Sequence, residues 1–208
     1  MMRELVIATG NPHKVDEIRS VLEGVGLQII SLADLGASDL AEPCESGKTF
    51  AQNARIKAVE YARGTGRMVL ADDSGLEVDA LDGAPGVYSA RWAGVGMTRA
   101  ERDAANNAKL VAEISRFASK SSAARFVCAM CVAAADGSVI AEAQGVFEGS
   151  ISSTPRGSNG FGYDPYFVVG STGRTSAELT PDDKNARSHR GAATRAIARL
   201  LSERLALS

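Results

Sequence analysis

Leu5-Val6-Ile7-Ala8-Thr9-Gly10-Asn11-Pro12-His13-Lys14 opens the readable part of the sequence. A short apolar, β-branched run stops at a turn, after which Val15, Ile18, Leu22 and Val25 recur at helical spacing. Asn11 is a good N-cap, Pro12 suits the first helical turn, and Gly24 and Gly26 close the helix. Strand, turn, helix is the seed of an α/β fold, and the rest of the chain extends it. Leu27–Ser31 reads as a second strand, and residues 35–47 lack a period and read as loop. A helix covers about 48–63, with Phe50, Ala51, Ala54, Ala58, Val59 and Ala62 on its apolar face.

Arg67–Ala71 is a further strand, expected to end at Asp72-Asp73-Ser74-Gly75 before Leu76–Leu81 alternates. Asp82–Gly86 is turn chemistry, and Thr98 with Glu101 forms a capping box for a helix reaching about 117. Residues 124–135 and 138–147 flank Asp136-Gly137, the strongest hairpin signal in the chain. A Gly/Ser/Pro-rich loop runs from Gly149 to Pro165, followed by a strand at Tyr166–Val169. Thr180-Pro181 starts another helical segment, and Ile197, Leu200, Leu201 and Leu205 mark the last helix. The expected form is a mixed α/β sheet flanked by helices, with a cleft between a main body and a lobe at about 80–150. No linker is long enough to divide residues 1–208 into independent domains.

The chain has 208 residues, with 25 acidic against 23 basic side chains and a net charge of -2. Near-neutral charge and only 5% aromatics argue against a dedicated nucleic-acid binder. No apolar run approaches the roughly eighteen residues of a membrane span, and a cytoplasmic address is the default. Cys128-Ala129-Met130-Cys131 matches Cys-x-x-Cys, but it lies in strand-like sequence that puts the two thiols on opposite faces. No second Cys or His pair completes a zinc set, so these read as core residues.

Five segments carry candidate chemistry. At Thr9–Lys14, free amides, the helix dipole and the Lys14 charge would suit a phosphate; an ordinary capped turn is the bland alternative. Gly47-Lys48-Thr49 imitates the end of a phosphate-binding P-loop, but Glu42 stands where the first glycine belongs, so that reading is rejected. In the same segment Glu45 precedes a helix on which Asn53 and Lys57 share one face. A carboxylate, an amide and an ammonium converging there could hold a metal and a phosphate. Asp72-Asp73 offers the ligands a hard cation such as Mg²⁺ prefers, and on extended backbone the two point oppositely, so one of them faces the site. Phe161-Gly162-Tyr163-Asp164 brings rings beside glycine, suited to stacking a planar base whose edge Asp164 could read. Lys184, His189 and Arg190 add donors near a helix junction, or else form a solvated basic face.

Together these segments resemble the inosine triphosphate pyrophosphatase family along essentially the whole chain. The motifs are Thr9–Lys14, Glu45 before Thr49-Phe50, Asn53 to Lys57, Ala71–Leu76, Gly83–Arg91, Phe161–Pro165 and Ser188–Gly191. Pro12 and His13 vary the family's phosphate loop. The resemblance implies hydrolysis of ITP, dITP or XTP between the α and β phosphates, with Mg²⁺ as cofactor and a homodimer as the assembly. It implies an elongated mixed β-sheet flanked by helices, in two lobes with a central cleft. By the same resemblance Thr9, Gly10, Asn11, Pro12, His13, Lys14 and Lys57 bind the triphosphate, and Asp73 is general base and metal ligand. Ser74 contacts substrate, while Glu45 completes the metal set, with Glu42 as the alternative. Phe161, Gly162, Tyr163, Asp164, Lys184, His189 and Arg190 form the base pocket. A pyrophosphatase for modified pyrimidine nucleotides and a non-catalytic nucleotide-binding regulator are the competing readings.

Overall fold

The computed structural model describes residues 4–37 and 39–206. The first three residues lie outside them, and the side chain of Leu205 is outside what is described, so its place on the last helix is not assigned. Six strands hydrogen-bond in the order β2-β1-β3-β4-β5-β6. They are β1 (Glu4–Ile7), β2 (Gln28–Ser31), β3 (Val69–Val78), β4 (Ser121–Ala133), β5 (Val139–Ser152) and β6 (Phe167–Val169). The helices are α1 (Pro12–Leu22), α2 (Phe50–Thr65), α3 (Arg99–Ile114), α4 (Pro181–Arg187) and α5 (His189–Ala206). β1 is parallel to both β2 and β3, whereas β5 and β6 are antiparallel, so the sheet is mixed as expected.

Two differences from the sequence reading matter. β3 does not stop at Asp72 but runs on through the acid doublet to Val78. Turn-forming residues favour a turn only when nothing else satisfies their backbone and side chains, and here each acid finds its own buried partners. Likewise β5 continues to Ser152, where Gly149, Ser150 and Ile151 pair with β6, so the long loop is shorter than its composition suggests.

The chain divides into two compact units. The first comprises Met1–Asp73, Cys128–Gly145 and His189–Ser208. Its core on one sheet face joins Leu5, Ile7, Leu70, Cys128, Met130 and Val132 to Val15, Ile18 and Leu22 of α1 and Ala193, Ile197 and Leu201 of α5. The opposite face meets α2, whose Ala54, Ala58 and Ala62 are fully buried and, at four-residue spacing, let the helix axis lie close. Helix α2 begins with the Thr49/Gln52 capping box and ends at Gly66 in a left-handed conformation.

The second unit comprises Ser74–Val127 and Val146–Ser188. Leu76, Val78, Leu110, Ile114, Phe126, Phe147, Ile151, Tyr163 and Phe167 form its core, with the Phe167 ring 4.5 Å from Phe126 and 5.3 Å from Phe147. Gly75 is required by packing: a Cβ there would lie 2.3 Å from Ser89 Oγ, which accepts the Leu76 amide at 2.9 Å. Among the described residues no helix is long and apolar enough to cross a membrane.

Candidate active site

In the first unit the polar cluster is a product of strand lengths. β1 pairs with β3 only as far as Ile7 opposite Leu70, so beyond that point β3 has lost its parallel neighbour. The Thr9–Asn11 turn and the first turn of α1 follow there. The turn is organised by its own side chains, since Asn11 N donates to Thr9 Oγ1 at 3.2 Å and Asn11 Oδ1 accepts from His13 N at 3.2 Å. Asn11 is 5% exposed, and its Nδ2 has no hydrogen-bond partner among the described residues. A buried amide donor left in that state costs free energy unless a ligand completes it. Gly10 is exposed, and a Cβ placed on it would meet nothing within 4 Å, so the chain's own packing does not demand glycine there. Pro12 and His13 are exposed on the same helix start, and its first turn holds no acid.

Pleating splits the acid doublet. Asp72 shares the face of Leu70, where Lys14 Nζ lies 2.7 Å and Arg190 Nε 3.8 Å from its Oδ2. Arg190, itself 2% exposed, also pairs with Glu17, one helical turn after Lys14. Burial would raise the Asp72 pKa, but Lys14 and Arg190, with Lys57 beyond them, overcome it and hold the carboxyl far below the usual range. Asp72 is therefore a fixed anion, and Lys14 and Arg190 are tethered to it. Beneath lies Cys128, whose thiol is pushed up to about 12 by burial and by the neighbouring Asp72 charge. The mirror thiol, Cys131, also rises to about 12 through burial and Glu142. Both are inert core residues, as their strand position implied.

Asp73 faces the other way, towards α2. Asn53 Nδ2 donates to Asp73 Oδ2 at 3.0 Å, and Lys57 Nζ lies 3.7 Å from Oδ1. Lys57 Nζ also donates to Glu45 Oε1 at 2.7 Å, so one ammonium links two carboxylates. Gly47 fixes the approach of the Glu45 segment: its amide donates to Asn53 Oδ1 at 2.8 Å, and a Cβ would lie 2.6 Å from that oxygen. Burial raises the Asp73 pKa, Lys57 opposes it, and repulsion from Glu45 adds to the rise. Lys57 is driven in the other direction from its ordinary desolvation, held protonated by Asp72, Asp73 and Glu45 despite burial. Two adjacent aspartates thus differ in partners and in the direction of their pKa shifts because they lie on opposite sides of one strand. Glu42 is exposed, whereas Glu45 is the acid that reaches Lys57. Ser74 is half-buried, immediately after the doublet.

In the second unit Asp164 is the organiser. Its Oδ2 accepts the Phe161 amide at 2.8 Å and Lys184 Nζ at 2.7 Å, and it is 3% exposed. Gly160, with φ of +76°, makes room, for a Cβ there would lie 2.1 Å from that carboxylate oxygen. Phe161 is half-buried, with Lys184 Nζ 5.0 Å from its ring centroid. Gly162 O accepts from Asn107 Nδ2 at 3.0 Å, and the buried Tyr163 donates its hydroxyl to Ser89 O at 2.8 Å. Burial pushes the Tyr163 phenol well above its ordinary value. Tyr163 therefore serves the core of this unit.

The structure brings Lys14 to Asp72 and Arg190, and Glu45, Asn53 and Lys57 to Asp73, within the first unit. It brings Phe161, Asp164 and Lys184 together within the second. His189, 5% exposed, starts α5 where Gly145 lets that helix approach β5; a Cβ on Gly145 would lie 2.1 Å from His189 O. Glu17 is not singled out by the sequence, and Asn11 is singled out there as a cap and phosphate-loop residue without its side-chain Nδ2 being distinguished. Glu17's spacing of three from Lys14 was the available signal, but it names a shared helix face and not the Arg190 that arrives from α5.

An α/β protein that sets a capped helix start beyond the carboxyl end of β1, beside an acid doublet split across the two faces of the neighbouring parallel strand, belongs to the class that binds anionic ligands at such strand ends. Within that class the chain belongs to the Ham1 family, whose profile matches residues 5–200. It is similar to a protein named dITP/XTP pyrophosphatase from an Exiguobacterium species, 49% identical over 194 residues that cover 93% of this chain and 94% of the relative. A Bacillus subtilis protein of the same name is 44% identical over 201 residues, 97% of this chain and 98% of the relative. Among solved structures, a HAM1 protein from Coxiella burnetii superimposes with a TM-score of 0.83 at 39% identity, covering 97% of this chain and all of the other. The Mycobacterium abscessus structure titled nucleoside-triphosphatase / dITP/XTP pyrophosphatase gives 0.72 at 44% identity, covering 95% and 98%. These bear out the family and the mixed α/β fold read from the sequence.

Proposed function

We propose that the protein is a hydrolase that splits non-standard purine nucleoside triphosphates, dITP, XTP and ITP, into the monophosphate and pyrophosphate. The single observation carrying this reading is the Asp73 cluster: a buried carboxylate of raised pKa, oriented by Asn53 and sharing Lys57 with Glu45. The names of the relatives supply the substrate class.

Asp73 is suited to take the proton of the attacking water, because a base poised above the ordinary carboxylate value accepts a proton more readily. Asn53, bonded to Oδ2, directs that carboxylate. Water adds across the α-β phosphoanhydride, and the leaving pyrophosphate carries its charge towards cations and amides. Lys14 and Lys57, the open helix start at Asn11 and its unpartnered Nδ2 supply them. Among the described residues no group of three or more His, Cys, Asp or Glu forms a closed metal cage. Glu45 and Asp73 nevertheless fit Mg²⁺, which characteristically takes one or two carboxylates and completes its shell with water and phosphate oxygens. When bound it would neutralise phosphate charge and acidify water.

For base selection, Phe161 is the stacking surface and Lys184 the donor to a 6-keto oxygen, while an adenine amino group would leave that donor unpaired. The implied homodimer and a cytoplasmic nucleotide-pool role belong to the same reading; light scattering on the purified protein reads the former. The central test is incubation with Mg²⁺ and a panel of dITP, XTP, ITP, dATP and modified pyrimidine triphosphates, with products resolved. Pyrophosphate with the purine monophosphate is expected. Release of orthophosphate, or no turnover, overturns the proposal, and preference for the pyrimidines moves the protein to the competing substrate class. An unchanged ITP to ATP preference in Lys184→Ala removes that residue from the selectivity argument.

A further inference from the structure

Arg99 stands over the ring on which the base is proposed to stack. Its guanidinium carbon is 4.9 Å from the Phe161 centroid, while its side chain is 45% exposed and meets Asp103 at 3.8 Å. Lys184, the other cation over that ring, is buried and anchored on Asp164 at 2.7 Å. The two cations therefore differ in freedom: Lys184 is built in, and Arg99 rests on the ring from the solvent side of its own helix start. Thr98 caps α3 through Glu101, which fixes the backbone of Arg99 and leaves the side chain its rotamers. A planar, weakly hydrated guanidinium occupies an aromatic face much as a heterocyclic base does, and it stacks on bases as well as on rings.

We propose that Arg99 is a base-clamping residue: a purine enters between it and Phe161, and the guanidinium then covers the outer face of the base. This rests on the reading of Phe161 as the stacking surface. Two stacked contacts at about 3.5 Å each require about 7 Å between ring and guanidinium, so Arg99 lifts by about 2 Å. A long, half-exposed side chain held by one loose ion pair accommodates that shift by changing rotamers. The clamp acts on binding, since stacking on a base remote from the phosphoanhydride is the same before and during reaction.

The test is steady-state kinetics with ITP for Arg99→Ala, Arg99→Lys, Phe161→Ala and the double variant, alongside inhibition by inorganic tripolyphosphate, which has no base. Arg99→Ala is expected to raise KM about five- to tenfold with kcat within about twofold, the size of one lost stacking contact. Arg99→Lys, which keeps the charge and loses the plane, recovers only part of this. In the Phe161→Ala background the Arg99→Ala effect shrinks, because the two act on one base. Tripolyphosphate inhibition stays unchanged. An Arg99→Ala KM within about twofold of the parent, while Phe161→Ala raises it, overturns the clamp and leaves the Phe161 reading standing. Equal weakening of tripolyphosphate also overturns the clamp, making Arg99 a phosphate charge. An unaltered KM in Phe161→Ala overturns both.

Discussion

Replacing Asp72 by asparagine keeps the side-chain volume and removes one charge from the centre of a buried network. Asp72 is 2% exposed, with Lys14 at 2.7 Å and Arg190 at 3.8 Å. Without it, two cations face one another where one is 3% exposed at its side chain. Breaking a buried pair by removing one partner costs about 3–5 kcal/mol. The lower end applies here, because asparagine retains an acceptor for Lys14 and Arg190 keeps Glu17. About 3 kcal/mol lowers the melting temperature by at least about 6 °C in a chain of this size. The pH dependence gives a second readout with a definite sign. The carboxyl is held below its unfolded value of 3.8, so its contribution is fully present above that value and disappears as the pH falls through the folded pKa. Urea denaturation of parent and variant should therefore show a constant gap near neutrality that narrows below about pH 4. A gap under about 1 kcal/mol at pH 7, or one that widens on acidification, would refute the assignment of Asp72 as a fixed structural anion.

Three further outcomes are expected. Asp73→Asn should reduce kcat by about 10²–10⁴-fold and abolish the acid limb of the pH profile. In the metal-free protein burial holds this carboxyl above its ordinary value, and Lys57→Met, which removes the principal opposing charge, should raise it further, as carboxyl titration followed by NMR would show. In the folded protein an aromatic disulfide reagent should titrate the exposed Cys44 alone, with Cys128 and Cys131 reacting only on unfolding; rapid reaction of two thiols would contradict their burial.

The outline of the fold was legible because its signals are local. Val15, Ile18 and Leu22 are the buried stripe of α1, and the Thr98/Glu101 capping box starts α3 where the sequence places it. The alternation rule also separates Asp72 from Asp73 on the sequence alone. What sequence could not supply were the partners. That β3 runs through Asp-Asp-Ser-Gly depends on Lys14, Arg190, Asn53 and Lys57, which arrive from 58, 118, 20 and 16 residues away in sequence. The resemblance groups Arg190 with Lys184 in a base pocket; what it does not supply is that α4 ends between them and that Arg190 pairs with Asp72 and Glu17. Tyr163 read as a substrate ring, and only the position of Ser89 O shows its hydroxyl engaged within the second unit's core.

The two sides of β3 also set what kinds of genetic change the gene can survive. A substitution at either aspartate alters one partner set and leaves the other in place. Loss of one codon from the pair is different in kind, because every later residue of the strand then changes side. Leu76 and Val78 would leave the apolar cluster they share with Ile114 and Phe167, and Glu77 would turn into it. The doublet is thus a reading frame for the strand as well as a pair of acids, so insertions and deletions there should be far rarer among functional variants than point changes.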